Sequence, residues 1–433
     1  MVAFGKFMSI DSGKRLPAYD NGRSFAYEAT DNRDKSKKFI AIVSDPAQLP
    51  RWPFIDSYDG LAETSFLHLV GSGVLHWPLK NKQQYIFLYQ GGLGECLVRQ
   101  GEFSKHSWNH HDVMSFFITP MINLLKEMSE KGFNHGSIRP SNIFYAGGDR
   151  NKPIILGDSL SVHSHSTQPA VCLPIDKALA VPMARGNGSL ADDIYAFGVT
   201  LALFLRKNDE MAGLTDRDIV RKKIEVGSFA TIVGVERFHA SFLELLRGLL
   251  HDDPALRWGL EDIFSWLDGS RMSPPALSRR IKANRPLVFQ GKKYLYPDVL
   301  ALDLQAHPDA VAKIVENQEL TQWIEKSFTD KDIEDRYRKA LERVASVGSI
   351  HDNKDLVVTQ ISIAFNAMLP IHYKGVNFTH EGIGAGMARA AYDDGDLSVF
   401  KDILLLNILD HAVVAKSLSH NEIMAQIKNF DVC

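Results

Sequence analysis

At 433 residues the chain has length enough for two or three domains, and its 45% hydrophobic and 23% charged content is that of an ordinary globular protein. A net charge of −3 gives no bulk electrostatic support for nucleic-acid or anionic-membrane binding.

The first ninety residues carry strand patterns. Ser24–Thr30 reads as a short strand, and Phe39–Val43 is a continuous apolar run rich in β-branched residues, as a buried strand requires. Leu69–Trp77 and Gln84–Tyr89 predict a hairpin. From His111 the period becomes helical. Val113, Phe116, Phe117, Met121, Leu124, Leu125 and Met128 form one stripe over His111–Lys131, which Gly132 ends. Ala191–Leu205 reads as a buried, largely apolar helix, and Phe242–Leu250 and Leu260–Leu267 as further helices. Pro274-Pro275 and the basic stretch Arg279–Arg285 mark a shift in composition. Beyond it, Val299–Leu304, Asp309–Glu316, Leu320–Lys326, Asp330–Val347, Asp355–Leu369 and Leu397–Ser417 all predict helices.

Three cysteines, Cys96, Cys172 and Cys433, are widely separated and odd in number, which suits a reducing compartment better than a disulfide framework or a zinc site. Met1–Asp20 has no apolar signal-type core, and even Ile403–Leu409 is short and bounded by Asp402 and Asp410. The expectation is a cytoplasmic protein with no membrane span and no nucleic-acid partner.

Four motifs stand in a telling order: His135-Gly136-Ser137-Ile138-Arg139-Pro140-Ser141-Asn142, then Ile154–Leu156 leading into Gly157-Asp158-Ser159-Leu160, then Asp193-Ile194-Tyr195-Ala196-Phe197-Gly198, then Asp253-Pro254-Ala255-Leu256-Arg257. In order and spacing they resemble the catalytic loop, the D-F-G strand, the buried C-lobe helix and the D-P-x-x-R of eukaryotic-like Ser/Thr protein kinases, over roughly residues 16–270. The resemblance implies an α+β, bilobal fold. It divides into a β-rich N-lobe at 1–92, a helical C-lobe at 93–270, a linker at 271–285 and a helical C-terminal domain at 286–433. It also places the one N-lobe helix at Ala62–Leu67, with Glu63 as its acidic residue, and the hinge at 90–101.

The chemistry of the resemblance is altered. Ser137 replaces the Asp that accepts the substrate proton, and Arg139 keeps a positive charge where kinases usually carry Lys. Val43 stands where the strand-three Lys is expected, while Lys37 and Lys38 read as solvated. Gly22, in Asp20–Tyr27, is the remaining glycine of a phosphate loop, or belongs to an ordinary hairpin turn. Asn142 and Asp158 match the two Mg²⁺ ligands, or serve as loop caps. Leu160 in place of the D-F-G glycine predicts a rigid or partly blocked segment. Val181-Pro182-Met183 is the candidate for A-P-E and lacks the Glu that would pair with Arg257. Gly136 replaces the Arg that pairs with a phosphorylated segment, and Asp193 is expected to hydrogen-bond the 135–142 backbone.

The implied function is a pseudokinase that binds another protein as a scaffold or allosteric regulator, with ATP and Mg²⁺ as cofactors or none. The alternative is an ATP-dependent transferase, phosphoryl or nucleotidyl, using Asn142 and Asp158. Other features read as structural. These are the histidines His106, His110 and His111, a mobile His163–Thr167 loop, the glycines of Gly382–Gly386 as close helix packing or a loop, and Asp393–Asp396 as a polar connection.

Overall fold

A computed structural model describes residues 1–99, 107–207, 211, 213–274, 280–329 and 331–419. The protein is a mixed α+β structure that divides into two compact units, and the division does not fall at one point of the chain. The first unit holds 1–174, 186–214 and 228–275; the second holds 175–185, 215–227 and 276–433. The break at 275/276 falls inside the 271–285 stretch read as a linker, but two short segments from the middle of the chain also pack with the C-terminal part.

The first unit opens with six antiparallel strands, β1 (Val2–Phe4), β2 (Met8–Arg15), β3 (Phe25–Asp31), β4 (Asp34–Val43), β5 (Leu69–Trp77) and β6 (Lys82–Gln90), in the order β1-β2-β3-β4-β6-β5. Side chains alternate across a strand, so β4 serves two faces. Ile40 and Ile42 join the main core, whereas Ala41 and Val43 pack with Ile10, Tyr27 and Trp77 on the other face. Strand β7 (Leu93–Cys96) then pairs with β8 (Ile143–Ala146), which pairs with β9 (Ile154–Leu156). Residues 90–101, expected as a hinge, thus supply a strand, and 100–101 lie outside the described residues.

The predicted helix at Ala62–Leu67 does not form. Its backbone is spent elsewhere: Leu67 N–H donates to Leu156 O at 2.8 Å, Leu156 N–H to Ser65 O at 2.8 Å, and Glu63 N–H to the Glu127 carboxylate at 2.8 Å. The helix of this region is the single turn Ile55–Asp59. Glu63 sits in the loop, and its carboxylate accepts the N–H groups of Thr64 and Ser65.

The stripe from residue 111 is helical throughout, as His110–Val113, a π-helical turn at Met114–Ile118, and Thr119–Glu130. It packs in one core with Leu190–Leu205, Ala240–Leu249 and Leu260–Leu267. Leu190–Leu205 is buried almost all round, and its Gly198 lies so near Ala240–Leu249 that a Cβ would meet that of Leu249 at 2.8 Å.

In the second unit, Lys354–Phe365 is the buried central helix, with Leu356–Phe365 enclosed on every side. Pro297–Leu304, Pro308–Glu316, Glu319–Ser327 and Lys331–Val347 pack around it or one another. The predicted 397–417 helix is broken into Ser398–Leu405 and Ile408–Ser419, because Asn407 takes a left-handed φ of 50°. Two hairpins interrupt the helices, β10 (Leu287–Phe289) with β11 (Lys292–Tyr294), and β12 (Ile371–Tyr373) with β13 (Val376–Phe378). Val181-Pro182-Met183 belongs here: Val181 N–H donates to Asn377 O at 2.9 Å, and Thr379 N–H to Ala184 O at 2.9 Å. Gly386 of Ile383–Tyr392 packs on Ala184, as close helix packing required. Among the described residues no helix is long and apolar enough to cross a membrane.

Gly248 is pressed against Trp258, whose N–H donates to Gly248 O at 3.1 Å and whose ring occupies the space a Cβ would need. Gly248→Ala is therefore expected to destabilise the first unit by about 2–3 kcal/mol, read as a lower urea midpoint at unchanged m-value.

Candidate functional site

The site is built on loop 135–142, which Asp193 holds from below. The Asp193 carboxylate accepts His135 N–H at 2.5 Å and Gly136 N–H at 2.8 Å, as the sequence led us to expect. Asp193 is fully buried, and burial pushes its carboxyl up to about 6. His135 accepts Ser137 N–H on Nδ1 and faces Gly157 O with Nε2 at 3.1 Å, a pattern that demands the neutral Nε2–H tautomer. Burial holds its pKa down at about 3.

Asp158 follows β9 and is 2% exposed. Five donors converge on its carboxylate: Tyr89 O–H at 2.6 Å, Leu160 N–H at 3.1 Å and Ser161 N–H at 3.2 Å on Oδ1, then Asn21 Nδ2 at 2.7 Å and the Ser161 hydroxyl on Oδ2. Burial and then the charge of Asp158 push the Tyr89 phenol well up, so Tyr89 is a permanent donor.

Asn21 is the second hub. It sits in a tight turn in which Asn21 and Ser24 exchange N–H···O bonds of 3.0 Å. Its Nδ2 serves Asp158, while its Oδ1 accepts Arg139 at 3.0 Å and the Thr167 hydroxyl at 2.9 Å. Gly22 follows at φ 59°, where a Cβ would meet Thr167 at 2.6 Å and Gln48 at 2.7 Å, so the turn needs glycine for closeness as well as conformation. Arg23 N–H is taken by Gln48 Oε1 at 2.6 Å. With the Asn21, Arg23 and Ser24 amides so engaged, this turn does not present the open set of N–H groups a phosphate loop needs. Of the two readings of Gly22, the structure fits the hairpin turn.

Arg139 is buried, and its guanidinium reaches Asn21, Thr167 and the Ser141 hydroxyl, with no ion pair among the described residues. Arg51, also buried, donates to the carbonyls of Asn134 and His135 and lies 4.7 Å from the rings of both Phe54 and Phe133. Burial lowers both guanidiniums to about 10, so both stay charged at neutral pH.

The remaining predicted residues fall as follows. Ser137 is fully buried, and its hydroxyl has no hydrogen-bond partner among the described residues. Asn142 spends Nδ2 on Ser137 O and Asp158 O, both at 2.9 Å. Asn142 and Asp158 therefore meet by amide to carbonyl, not as two oxygen ligands, and the oxygens a Mg²⁺ would need on Asp158 are already covered. In this arrangement the pair does not fit a metal, and among the described residues no group of three or more His, Cys, Asp or Glu is placed to hold one. Val43 does not face the site at all, since it packs in the outer cluster with Trp77. The residue that faces inward at the end of β4 is Ser44, whose hydroxyl donates to Ser161 O at 3.1 Å. Lys37 and Lys38 are exposed, as expected.

Residues 163–167, read as a mobile loop, are packed. His163, Ser164 and His165 are buried, His163 N–H donates to Gln48 O at 2.7 Å, and His165 N–H to Gly136 O at 2.8 Å. Gly136, at φ 67°, makes this approach possible, for a Cβ there would strike Ser164. Arg257 is buried on the carbonyls of His251, Asp252 and Ala191. His110 stacks on Phe242 at 4.7 Å, and His106 lies outside the described residues. Sequence reasoning missed Asn21, Tyr89, Arg51, Ser161 and Thr167. Only Asn21 carried a signal, as an Asn before Gly in a turn.

Two outcomes follow. Tyr89→Phe is expected to cost about 1–2 kcal/mol and Asn21→Ala about 2–3 kcal/mol, with a coupling above roughly 0.5 kcal/mol in a double-mutant cycle, because both act on one carboxylate. Stability should also fall by on the order of 2 kcal/mol from pH 7 to pH 5. Burial holds His135 at about 3 and His163 at about 4, below the ~6.5 of the unfolded chain, which alone takes up protons in that range. Asp193, raised to about 6, acts in the opposite sense but is one group against two. Urea denaturation as a function of pH measures the slope.

No protein-family model matches this chain, and no curated protein matches it in sequence.

Proposed function

We propose that this chain is a pseudokinase, a degenerate relative of the eukaryotic-like Ser/Thr protein kinases that binds another protein as a scaffold or allosteric regulator and transfers little or no phosphate. Three features support kinship. A six-stranded antiparallel sheet precedes a helical part in the order a bilobal kinase-like fold requires. Loop 135–142 and Asp158 lie together, and Asp193 binds the backbone of that loop.

The observation that carries the loss of activity is the Asp158 carboxylate, which five protein donors cover. Phosphoryl transfer depends on that carboxylate holding a metal against the phosphates. Two further losses point the same way. Ser137 offers a hydroxyl where a general base, typically worth ~10²–10⁴-fold, is required. Ser44 stands at the inner end of β4, where a phosphate-binding Lys would be needed. A transferase on the same fold would first have to pull the Asn21 turn off Asp158.

Thermal shift with millimolar ATP, with and without Mg²⁺, tests this on the native protein and on Asp158→Asn. A nucleotide at about 100 times its Kd would add ~2.7 kcal/mol. No Mg²⁺-dependent shift is expected in either protein. A shift present in the native chain and lost in Asp158→Asn would overturn the reading. Transfer of α- or γ-label from ATP would then tell nucleotidyl from phosphoryl chemistry.

A further inference from the structure

The basic stretch that begins at Arg279 has no part in the Asp158 network. From Gly269 to Pro297 the chain holds seven Lys and Arg residues and no Asp or Glu, although the whole chain carries −3. Within the second unit, part of this stretch lines a groove of about 450 Å³ whose wall includes Arg221, Arg280, Lys292, Lys293 and Tyr296, with Glu225 as the acid. The two arginines are fixed in place. Arg280 is gripped by both oxygens of Asp298 at 2.7 Å and lies 4.0 Å over the Tyr296 ring, and Arg221 is paired with Asp303. Lys292 and Lys293, on β11, are exposed, and neither has an ion pair among the described residues; the same holds for nearby Lys282 and Arg285. Like charges gathered without ion pairs repel one another and raise the local concentration of anions.

We propose that this groove binds an acidic, extended protein segment. The cations call for carboxylates, and the apolar surface beside them calls for side chains between the carboxylates. Val288, paired with Lys293 across the β10–β11 hairpin, is 57% exposed, and Leu295 is half-buried in the groove wall. A nucleic acid would instead seek an aromatic face for its bases. The Tyr296 ring is covered by Arg280 and has Lys282 5.9 Å away, so it does not offer one. The proposal uses no residue of the pseudokinase reading and stands or falls separately.

The test is fluorescence anisotropy of a labelled, alternating Glu–Val peptide of about eight residues with the full chain at low salt. Binding that weakens with added salt is expected, together with about tenfold weaker binding to Lys292→Glu/Lys293→Glu. Both positions are exposed, so an unchanged melting temperature will show that the variant is folded. Lys326→Glu, outside the groove, should bind as the native chain does, and a Ser–Val peptide should not bind. Absence of binding, an equal loss in Lys326→Glu, or tighter binding of a single-stranded oligonucleotide of equal charge would overturn the proposal.

Discussion

The carboxylate of Asp158 is buried, and a buried charge is tolerable only if its lone pairs are met. Five protein groups meet them, and they come from separate parts of the first unit: the Asn21 turn, the end of β6 at Tyr89, and the chain from Leu160 to Ser161. One acidic side chain thereby ties the sheet and the Asn21 turn to the 158–161 segment, and the Asp158 carbonyl accepts Asn142 of loop 135–142. Asn21 extends the tie. As a neutral amide it passes the polarity of Asp158 to Arg139, whose buried guanidinium has no ion pair among the described residues.

Closure of this site is polar rather than apolar. Leu160 is fully buried and joins the core, as its place after Asp158-Ser159 suggests, but the groups that cover the carboxylate are an amide, a phenol, a hydroxyl and two backbone N–H groups. Such a network is costly to open part-way, since removing any one member leaves another buried and unmet. The Ser137 and Ser159 hydroxyls, buried and without partners among the described residues, lie within the same region of the chain.

The second unit is assembled differently. Its central helix is sequestered by neighbours close in sequence, yet it also takes in 175–185 and 215–227. Backbone bonds from Val181 and Thr379, the Arg221–Asp303 ion pair and the bond from Arg280 to Glu225 O hold these segments to the C-terminal part. These contacts join residues far apart in the chain, and nothing in local propensity announces them.

Much was legible from residues alone. Period and length placed β4, the β5–β6 hairpin and many of the helices, though not Asp216–Val226, Ser228–Val233 or Ile383–Tyr392, because apolar alternation and 3.6-residue stripes are local properties of the chain. The resemblance carried by His135, Asn142, Asp158 and Asp193 implied that these residues meet, and the Asp193 carboxylate does accept the N–H groups of His135 and Gly136. What only the tertiary structure decided depends on face, partner and approach. Val43 points away from the site because a strand's two faces are settled by which core each meets. Residues 62–67 are extended because β9 offers them hydrogen bonds that a helix would forfeit. Residues 163–167 are packed because Gly136 leaves room. The Asp158 carboxylate meets Asn21 and Tyr89, both distant from it in sequence, and the Asn142 amide turns to the carbonyls of Ser137 and Asp158. A sequence motif specifies which groups are present; which partner each group meets is a property of contacts between segments far apart in the chain.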